Sequence, residues 1–440
     1  MKYWLGIDFG TSGVRAIAIN GKSEVVALSR VDYEIGDWQT WQRSLYQVII
    51  DLPIKIRKNI QKIVIDGTSA TTLICDRQGK PIFSPMLYGD TCAAEILNEV
   101  KAIAPPQHLA LSSSSSFAKL LTLTNEIKLL AKRSPNSVSQ SPWYFLHQAD
   151  WLGYLLHGKL GVSDYHNALK LGYDQQALTY PDWLLAWSRQ NPAIVLPEIF
   201  APAATVGTVQ GAIAAKLGLS KSCEVGAGTT DSNAAFLASI GKTSPKIGTA
   251  VTSLGSTMVL KVLSDRPINH PNYGIYSHRF EYDQMGCLWL VGGASNVGGA
   301  VLKHFFSNQQ LLELSDRLDP NIASPLDYYP LLKAGDRFPI NDPQLQPRLH
   351  PRPDSSVDFL HGLLESMARI EAQGYGLLQQ LGVTPIQKIY TVGGGAQNQA
   401  WTKIRYRHLQ IPLLVTTQTE AAYGSALLAK IKPSFKKQTL

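Results

Sequence analysis

The sequence predicts an α/β protein made of two related domains with a cleft between them. Two observations carry this. A chain of 440 residues is too long for one ordinary core, so two domains are expected. And the same grammar opens each half: a strand, a turn of Gly, Ser and Thr, then a second strand. It appears in "LGIDFGTSGVRAIAIN" and again in "KIGTAVTSLGSTMVLKVL". Such an internal repeat suggests a duplicated domain.

The elements follow in order. "YWLGIDFG" reads as a buried strand, "VRAIAIN" as a second after a tight turn, and "SEVVALSRVDYEI" as a third. The helical pattern in "WQTWQRSLYQVIIDLPIKIRKN" breaks or ends near Pro53. "IQKIVIDGTSATTLICD" is a strand, a Gly-Thr-Ser turn and a strand, and residues 93–160 read mostly as helix and loop, with "SSSSS" and "SPNSVSQSP" as loop segments. Later come a strand, a Gly-rich turn and a helix in "EVGAGTTDSNAAFLASIG" and again in "GCLWLVGGASNVGGAVLKHFF". A long amphipathic helix spans 355–382, and "IQKIYTVGGGAQNQAWTKIRYRHLQIPLL" repeats the strand, loop and helix.

Composition excludes several function classes. Hydrophobic residues make up 45% and charged residues 17%, normal for a globular protein. The sequence holds no apolar run of about 18 residues, so no membrane span is expected. Cys75, Cys92, Cys223 and Cys287 lack paired spacing, which argues against a disulfide framework or a zinc site and fits a reducing compartment. "MKYW" runs straight into a strand with no signal peptide. The expected location is the cytoplasm, or a plastid only if a transit peptide has been removed. The net charge of +8 comes from 41 basic and 33 acidic residues, dispersed apart from a solvated tail, "KIKPSFKKQTL". No basic stripe speaks for nucleic acid, whereas a mild positive field suits anionic small molecules.

Four glycine-rich turns follow strands: "DFGTSG", "SLGST", "GGASNVGG" and "GGGAQN". Without a Cβ the backbone approaches phosphate oxygens closely, although hairpins need glycine too. None matches a P-loop or a dinucleotide fingerprint. Asp8 ends the first strand, and Asp231 follows "GAGTT" at the start of a helix. Asp231 also suits a helix N-cap, and Asp8 a turn-stabilising role. Beside phosphate-type turns, one acid can hold Mg²⁺ through water while the other takes a proton from an attacking hydroxyl.

Nearly end to end, the chain resembles the FGGY family of carbohydrate kinases, within the sugar kinase, actin and heat-shock ATPase superfamily. "GIDFGTSGVRAIAI" and "TSLGSTMVL" look like the family's two phosphate motifs, "AGTTDSNAAF" like its Gly-x-x-Asp motif, and "VGGGAQNQAW" like its adenosine motif. "SDYHNALKLGYD" is similar to its Thr-Asp-x-x-x-Ala segment. "IDGTS", "LYGDTC", "SLGST" and "GGASN" look like a plant and cyanobacterial branch described as D-ribulose kinases and once called xylulose-kinase-like. There are departures. Many members read Trp-x-Asp-x-Arg where this chain has Tyr88 and then Thr91–Cys92. Thr122 stands where the family favours Trp after Lys119, and the Trp-Glu-Gln motif of bacterial xylulokinases is absent from "YEIGDWQTW". The chain is also shorter than a typical member. These changes fall where sugar specificity is set.

The resemblance implies two actin-like (ribonuclease-H-like) domains around a central cleft, 1–238 for sugar and catalysis and 239–440 for ATP. The last helix, near 419–432, would pack at the domain interface. It implies ATP and Mg²⁺ as cofactors. Asp231 would be the catalytic base and would stand near the metal. Asp8 would orient hydrated Mg²⁺ and touch substrate. Gly10, Thr11, Ser12 and Gly13 would present the backbone and hydroxyls to the transferring phosphate, and Arg15 and Ser69 would contact the sugar, with Asp90 a weaker candidate. Gly255, Ser256 and Thr257 would line the nucleotide phosphates, helped by Gly293 and Ala294. Gly394 and Gly395 would let adenine reach the backbone, flanked by Asn398 and Trp401. The expected activity is phosphorylation of a terminal hydroxyl of a pentulose, D-ribulose first and D-xylulose second. A non-catalytic actin-like nucleotide binder and a sugar sensor remain as alternatives. Neither nucleic acid nor membrane is an expected partner, and monomer or dimer stays open.

Overall fold

The computed structural model describes residues 1–34, 37–133, 142–243, 245–281, 286–416 and 418–431. The loop expected at "SPNSVSQSP" and the charged tail lie almost wholly outside the described residues. The chain divides into two compact units. One takes in the described residues of 1–238, Glu281, Gly286 and 420–431, the other those of 239–280 and 287–419.

The first unit is built on a sheet whose strands run in the order Thr205–Thr208, Glu224–Gly226, Ile60–Gly67, Tyr3–Phe9, Gly13–Ile19, Val25–Asp32. The last three form an antiparallel meander, and Ile60–Gly67 lies parallel to Tyr3–Phe9. Central strands covered on both faces read as continuous apolar runs; Leu5, Ile7, Ile63, Val64 and Ile65 are all buried. The helix Trp38–Ile50 starts where the Asp37 carboxylate accepts the Thr40 amide, and buries Trp41, Leu45, Val48 and Ile49 along one stripe. It ends before Pro53, which opens the short helix Ile54–Arg57.

Residues 93–160 hold more than helix and loop. "WYFLH" forms the strand Trp143–His147, antiparallel to Thr72–Cys75. Its aromatic residues suit a strand, but it is too short for periodicity to reveal. The serine run is not all loop either. Ser115 is buried, its hydroxyl donates to the Ala110 carbonyl and accepts the Ala118 amide, and Ser116 begins the helix Ser116–Arg133.

The second unit repeats the topology. Its sheet runs Tyr276–Glu281, Cys287–Ser295, Met258–Ser264, Thr249–Leu254, Lys388–Val392, Leu413–Val415. Again an antiparallel pair is followed by parallel neighbours. The duplication seen in the sequence is therefore a duplication of strand order. In the first copy the residue two before the turn glycine is Asp8; in the second it is Ser253.

The last helix lies within the expected C-terminal span by sequence yet groups with the first unit by packing. Ala421–Lys430 belongs to the first unit, packed on Tyr3–Phe9. A Cβ at Gly6 would stand 1.9 Å from the Ala422 carbonyl oxygen, and one at Gly424 would stand 1.8 Å from that of Ala234. Only glycine permits these approaches. The small-residue sequence "AAYGSALLA" thus lets this helix lie between the first strand and the helix Asp231–Ile240.

Candidate active site

The acids meet at one end of the first sheet. Parallel pairing sets Asp8 beside Asp66, and Thr229 beside Asp66 on its other flank. Two residues later Asp231 opens the helix Asp231–Ile240. Carboxyl ends of parallel strands are where open α/β sheets bind ligands. Asp66 has no solvent exposure, and the Ser425 hydroxyl donates to its Oδ2 at 2.5 Å. A hydrogen bond joins the Asp66 and Asp8 carboxyls. Burial and the neighbouring Asp8 push Asp66 well above the usual carboxylate range. Burial also raises Asp8, to about 6, with Asp231 and Glu420 adding and the Asp66 hydrogen bond and Arg15 opposing. Of the two, Asp66 is the carboxyl that its surroundings push further toward the neutral form. Sequence reading passed over Asp66. The available signal was "VIDGTS", which repeats the strand-end acid and turn of "GIDFGTS".

The hairpin after Asp8 closes with the Gly10 amide on the Gly13 carbonyl at 3.0 Å, leaving Thr11 and Ser12 exposed at its tip. The Gly10 amide is thus spent within the turn, while the Tyr33 hydroxyl donates to the Gly10 carbonyl at 2.8 Å. A small pocket of about 40 Å³ lies here, lined by Gly10, Thr11, Tyr33, Thr68, Leu87 and Gln148 among others. Ser69 is not on its wall, although the neighbouring Thr68 and Thr71 are. Arg15 lies opposite Asp8 in register, and its guanidinium is paired with Glu420. Asp90 also locks its own turn: its Oδ2 accepts the Leu87 amide at 2.7 Å.

The second unit carries a separate pocket of about 560 Å³. Gly255, Ser256, Gly394, Gly395, Asn398 and Trp401 line it, as do Leu254, Gly299, Leu302, Lys303 and Asn308. Gly394 is open, since a Cβ added there would have nothing within 4 Å, whereas a Cβ at Gly395 would meet the Trp401 ring at 2.5 Å. Trp401 is only 2% exposed and packs in the core, so it forms a wall behind Gly395. Asn398 caps the helix Gln399–Leu409, accepting the Trp401 amide at 2.9 Å and donating to Ser315 at 2.8 Å. Thr257 is exposed but does not line the pocket.

Gly293 and Ala294 do not line this pocket. Both sit inside the strand Cys287–Ser295, paired with Leu260 and Val259, and Gly293 packs against the Phe338 ring. The turn comes later, and its amides are already used: Gly299 donates to the Gly255 carbonyl and Ala300 to that of Ser256. "GGASNVGG" therefore braces the "SLGST" turn.

Among the described residues no three or more His, Cys, Asp or Glu side chains stand close enough to hold a metal by themselves. All four cysteines are free, and burial raises the Cys75 and Cys223 thiols, so neither is an activated nucleophile. No helix is long and apolar enough to cross a membrane among the described residues.

The description of the FGGY family of carbohydrate kinases fits the chain in both parts, the N-terminal domain over residues 3–238 and the C-terminal domain over 250–432. The chain belongs to the FGGY family of carbohydrate kinases. As such it is an ATP-dependent phosphotransferase acting on a sugar. Relatives include xylulose kinase of Staphylococcus xylosus, 21% identical over 98% of this chain and 90% of that one. L-fuculokinase of Escherichia coli O157:H7 is 23% identical over 96% and 91%. Gluconokinase of Bacillus subtilis (strain 168) is 21% identical over 97% and 86%. Among solved structures, xylulose kinase from Rhodospirillum rubrum superposes with a TM-score of 0.78 at 18% identity, covering 100% of this chain and 94% of that one. Plasmodium falciparum glycerol kinase with ADP gives 0.78 at 16%, covering 98% and 89%. The FGGY kinase fold thus spans the whole chain, whereas relatives named for different acceptors stand at similar distances.

Proposed function

We propose that this FGGY kinase phosphorylates the terminal hydroxyl of a pentulose, converting D-ribulose to D-ribulose 5-phosphate in the cytoplasm. The observation that carries the phosphotransfer chemistry is the row of strand-end acids, Asp8 and Asp231 beside the buried Asp66. Asp231, at a helix N-terminus, takes the proton of the attacking hydroxyl. Asp8 would hold hydrated Mg²⁺, which when bound would neutralise charge on the transferring phosphoryl group. Thr11 and Ser12, exposed at the hairpin tip, offer hydroxyl and amide donors to that group. In the second unit, Gly255 and Ser256 receive the nucleotide phosphates, and Gly394 lets the base lie against the backbone. Phosphoryl transfer depends on alignment and charge neutralisation, so these turns and acids suffice.

The choice of D-ribulose rests on the likeness of "IDGTS" and "LYGDTC" to the ribulose-kinase branch. D-Xylulose is the second reading, favoured by the relatives named for it. The test is ADP release from ATP and Mg²⁺ across ketoses, aldoses and polyols. D-Ribulose should give the highest kcat/KM. Preference for D-xylulose would move the assignment to the second reading, and no response to any sugar would refute it.

Two further results are expected. Gly394→Ala should leave folding intact, since the added methyl meets open space. It should raise the KM for ATP about tenfold while leaving that for sugar unchanged, a loss of uniform binding read by steady-state kinetics. The second concerns pH. Asp8 titrates near pH 6 in the folded protein, above its unfolded value. Below that pH it is protonated and neutral, so kcat/KM for MgATP should fall about tenfold per pH unit. Stability moves the other way. The folded state holds the extra proton, so this contribution is fully present below the unfolded pKa and is lost as pH rises through 6. Pre-steady-state ATP binding and thermal melts across pH 5–8 check both signs.

A further inference from the structure

Lys119 has no solvent exposure, on a helix whose neighbouring positions bury Phe117, Leu120 and Leu121. An apolar side chain there would avoid the cost of burying an ammonium. Its Nζ donates instead to two backbone carbonyls, those of Ala70, at 2.7 Å, and of Leu87. Both belong to turns that flank the small pocket beside Asp8. Ala70 has a φ of 61°, a left-handed conformation that a non-glycine residue adopts only when its surroundings hold it. It sits between Thr68 and Thr71, and both of these line the pocket, as do Leu87, Tyr88 and Gln148. The Gln148 side chain accepts the Thr68 amide and its backbone amide donates to the Thr71 carbonyl, fixing the far side of that turn. The Leu87 carbonyl also accepts the Asp90 amide at 3.0 Å, and Met86 pairs with Thr72 through both backbone bonds.

We propose that Lys119 is a positioning residue for the acceptor sugar: its ammonium straps the Thr68–Thr71 turn to the Leu87–Asp90 turn and so sets the spacing of the pocket walls. The proposal rests on the sugar-kinase reading above. Burial lowers the lysine to about 8, with Asp90 opposing and Lys170 adding, so the ammonium is charged at neutral pH and bonds the carbonyls strongly. A strap of this kind acts on which ketose fits, because backbone carbonyl positions, rather than a side chain that touches sugar, fix the wall.

The test uses Lys119→Met, which keeps length without charge, and Lys119→Gln, which reaches one carbonyl at most and is the milder variant if the first does not fold. Steady-state kinetics on D-ribulose and D-xylulose are run beside amide hydrogen exchange. In Lys119→Met the sugar KM should rise about tenfold and discrimination between the two ketoses should narrow, with the KM for ATP unchanged. Exchange should speed up about tenfold in residues 68–75 and 84–91 and stay as in the wild type in residues 249–254. Lys119→Gln should fall between. Unchanged exchange in the two turns overturns the strap whatever the sugar kinetics. Faster exchange with unchanged sugar KM and discrimination overturns its role in positioning sugar. Wild-type protein that turns over no sugar, with exchange still raised in the variant, overturns the sugar reading and with it the positioning role, while showing that the tie itself is real.

Discussion

Asp231→Asn is expected to lower sugar-dependent ADP formation by about a thousandfold, within the range that loss of a general base brings. The substitution discriminates well because asparagine serves a helix N-terminus about as well as aspartate. If Asp231 merely started the helix Asp231–Ile240, activity and melting temperature would both survive. If it takes the proton of the attacking hydroxyl, the amide cannot do so, and turnover collapses in a protein that still melts normally. Nucleotide affinity should hold, because the pocket of Gly255, Ser256 and Gly394 lies wholly in the second unit. A variant retaining more than a tenth of wild-type turnover would remove Asp231 from the role of base.

Glu371→Gln is expected to destabilise the second unit by about 3–5 kcal/mol, the usual result of leaving one member of a buried ion pair unpaired. Arg405 is wholly buried, and its guanidinium holds Glu371 through Nε at 2.6 Å and Nη2 at 2.8 Å. Nη1 donates to Thr391 at 2.9 Å, and Thr252 donates to Glu371 at 2.6 Å. Thr252 and Thr391 are register partners in the strands Thr249–Leu254 and Lys388–Val392. Those strands end in the turns "SLGST" and "GGGAQN", so the ion pair lies under both walls of the nucleotide pocket. With the amide in place the Arg405 charge keeps its burial and loses its counter-charge. The melting transition of this unit should drop by about 10 °C. ATP affinity should weaken in parallel, and the first unit's transition should not move. A melt within 2 °C of the wild type, read by calorimetry, would show that the pair contributes little, a result known for some buried pairs when hydrogen bonding survives.

The candidate site was legible unevenly, and the reasons are local. Asp8 and Asp231 stand out in the chain because each interrupts an apolar or small-residue run just where a glycine-rich turn adjoins a regular element. Gly394, Gly395 and Gly255 stand out for the same reason, and all three reach the pocket wall. Gly293 and Ala294 had the same signature and turned out to be strand residues, because the strand Cys287–Ser295 runs on past its glycines to Ser295. A sheet tolerates glycine where a bulky neighbour, here Phe338, fills the missing side-chain volume. Asp90 gives one oxygen to its own turn, since a carboxylate three residues from an amide finds that amide first.

The duplication, the strand-and-turn grammar and the two chemical acids are written in local sequence, because strand ends, turns and apolar runs depend on residues a few positions apart. Asp66 and Lys119 needed the folded chain. The upward shift of Asp66 comes from burial and from Asp8 in the neighbouring strand, against the opposing hydrogen bond of Ser425, 359 residues away. Lys119 matters through carbonyls 49 and 32 residues distant. The last helix likewise joins the first unit because Gly6 and Gly424 let backbones touch. Burial, the upward shift of an acid and close packing are properties of residues brought together from far along the chain, and no local pattern records them.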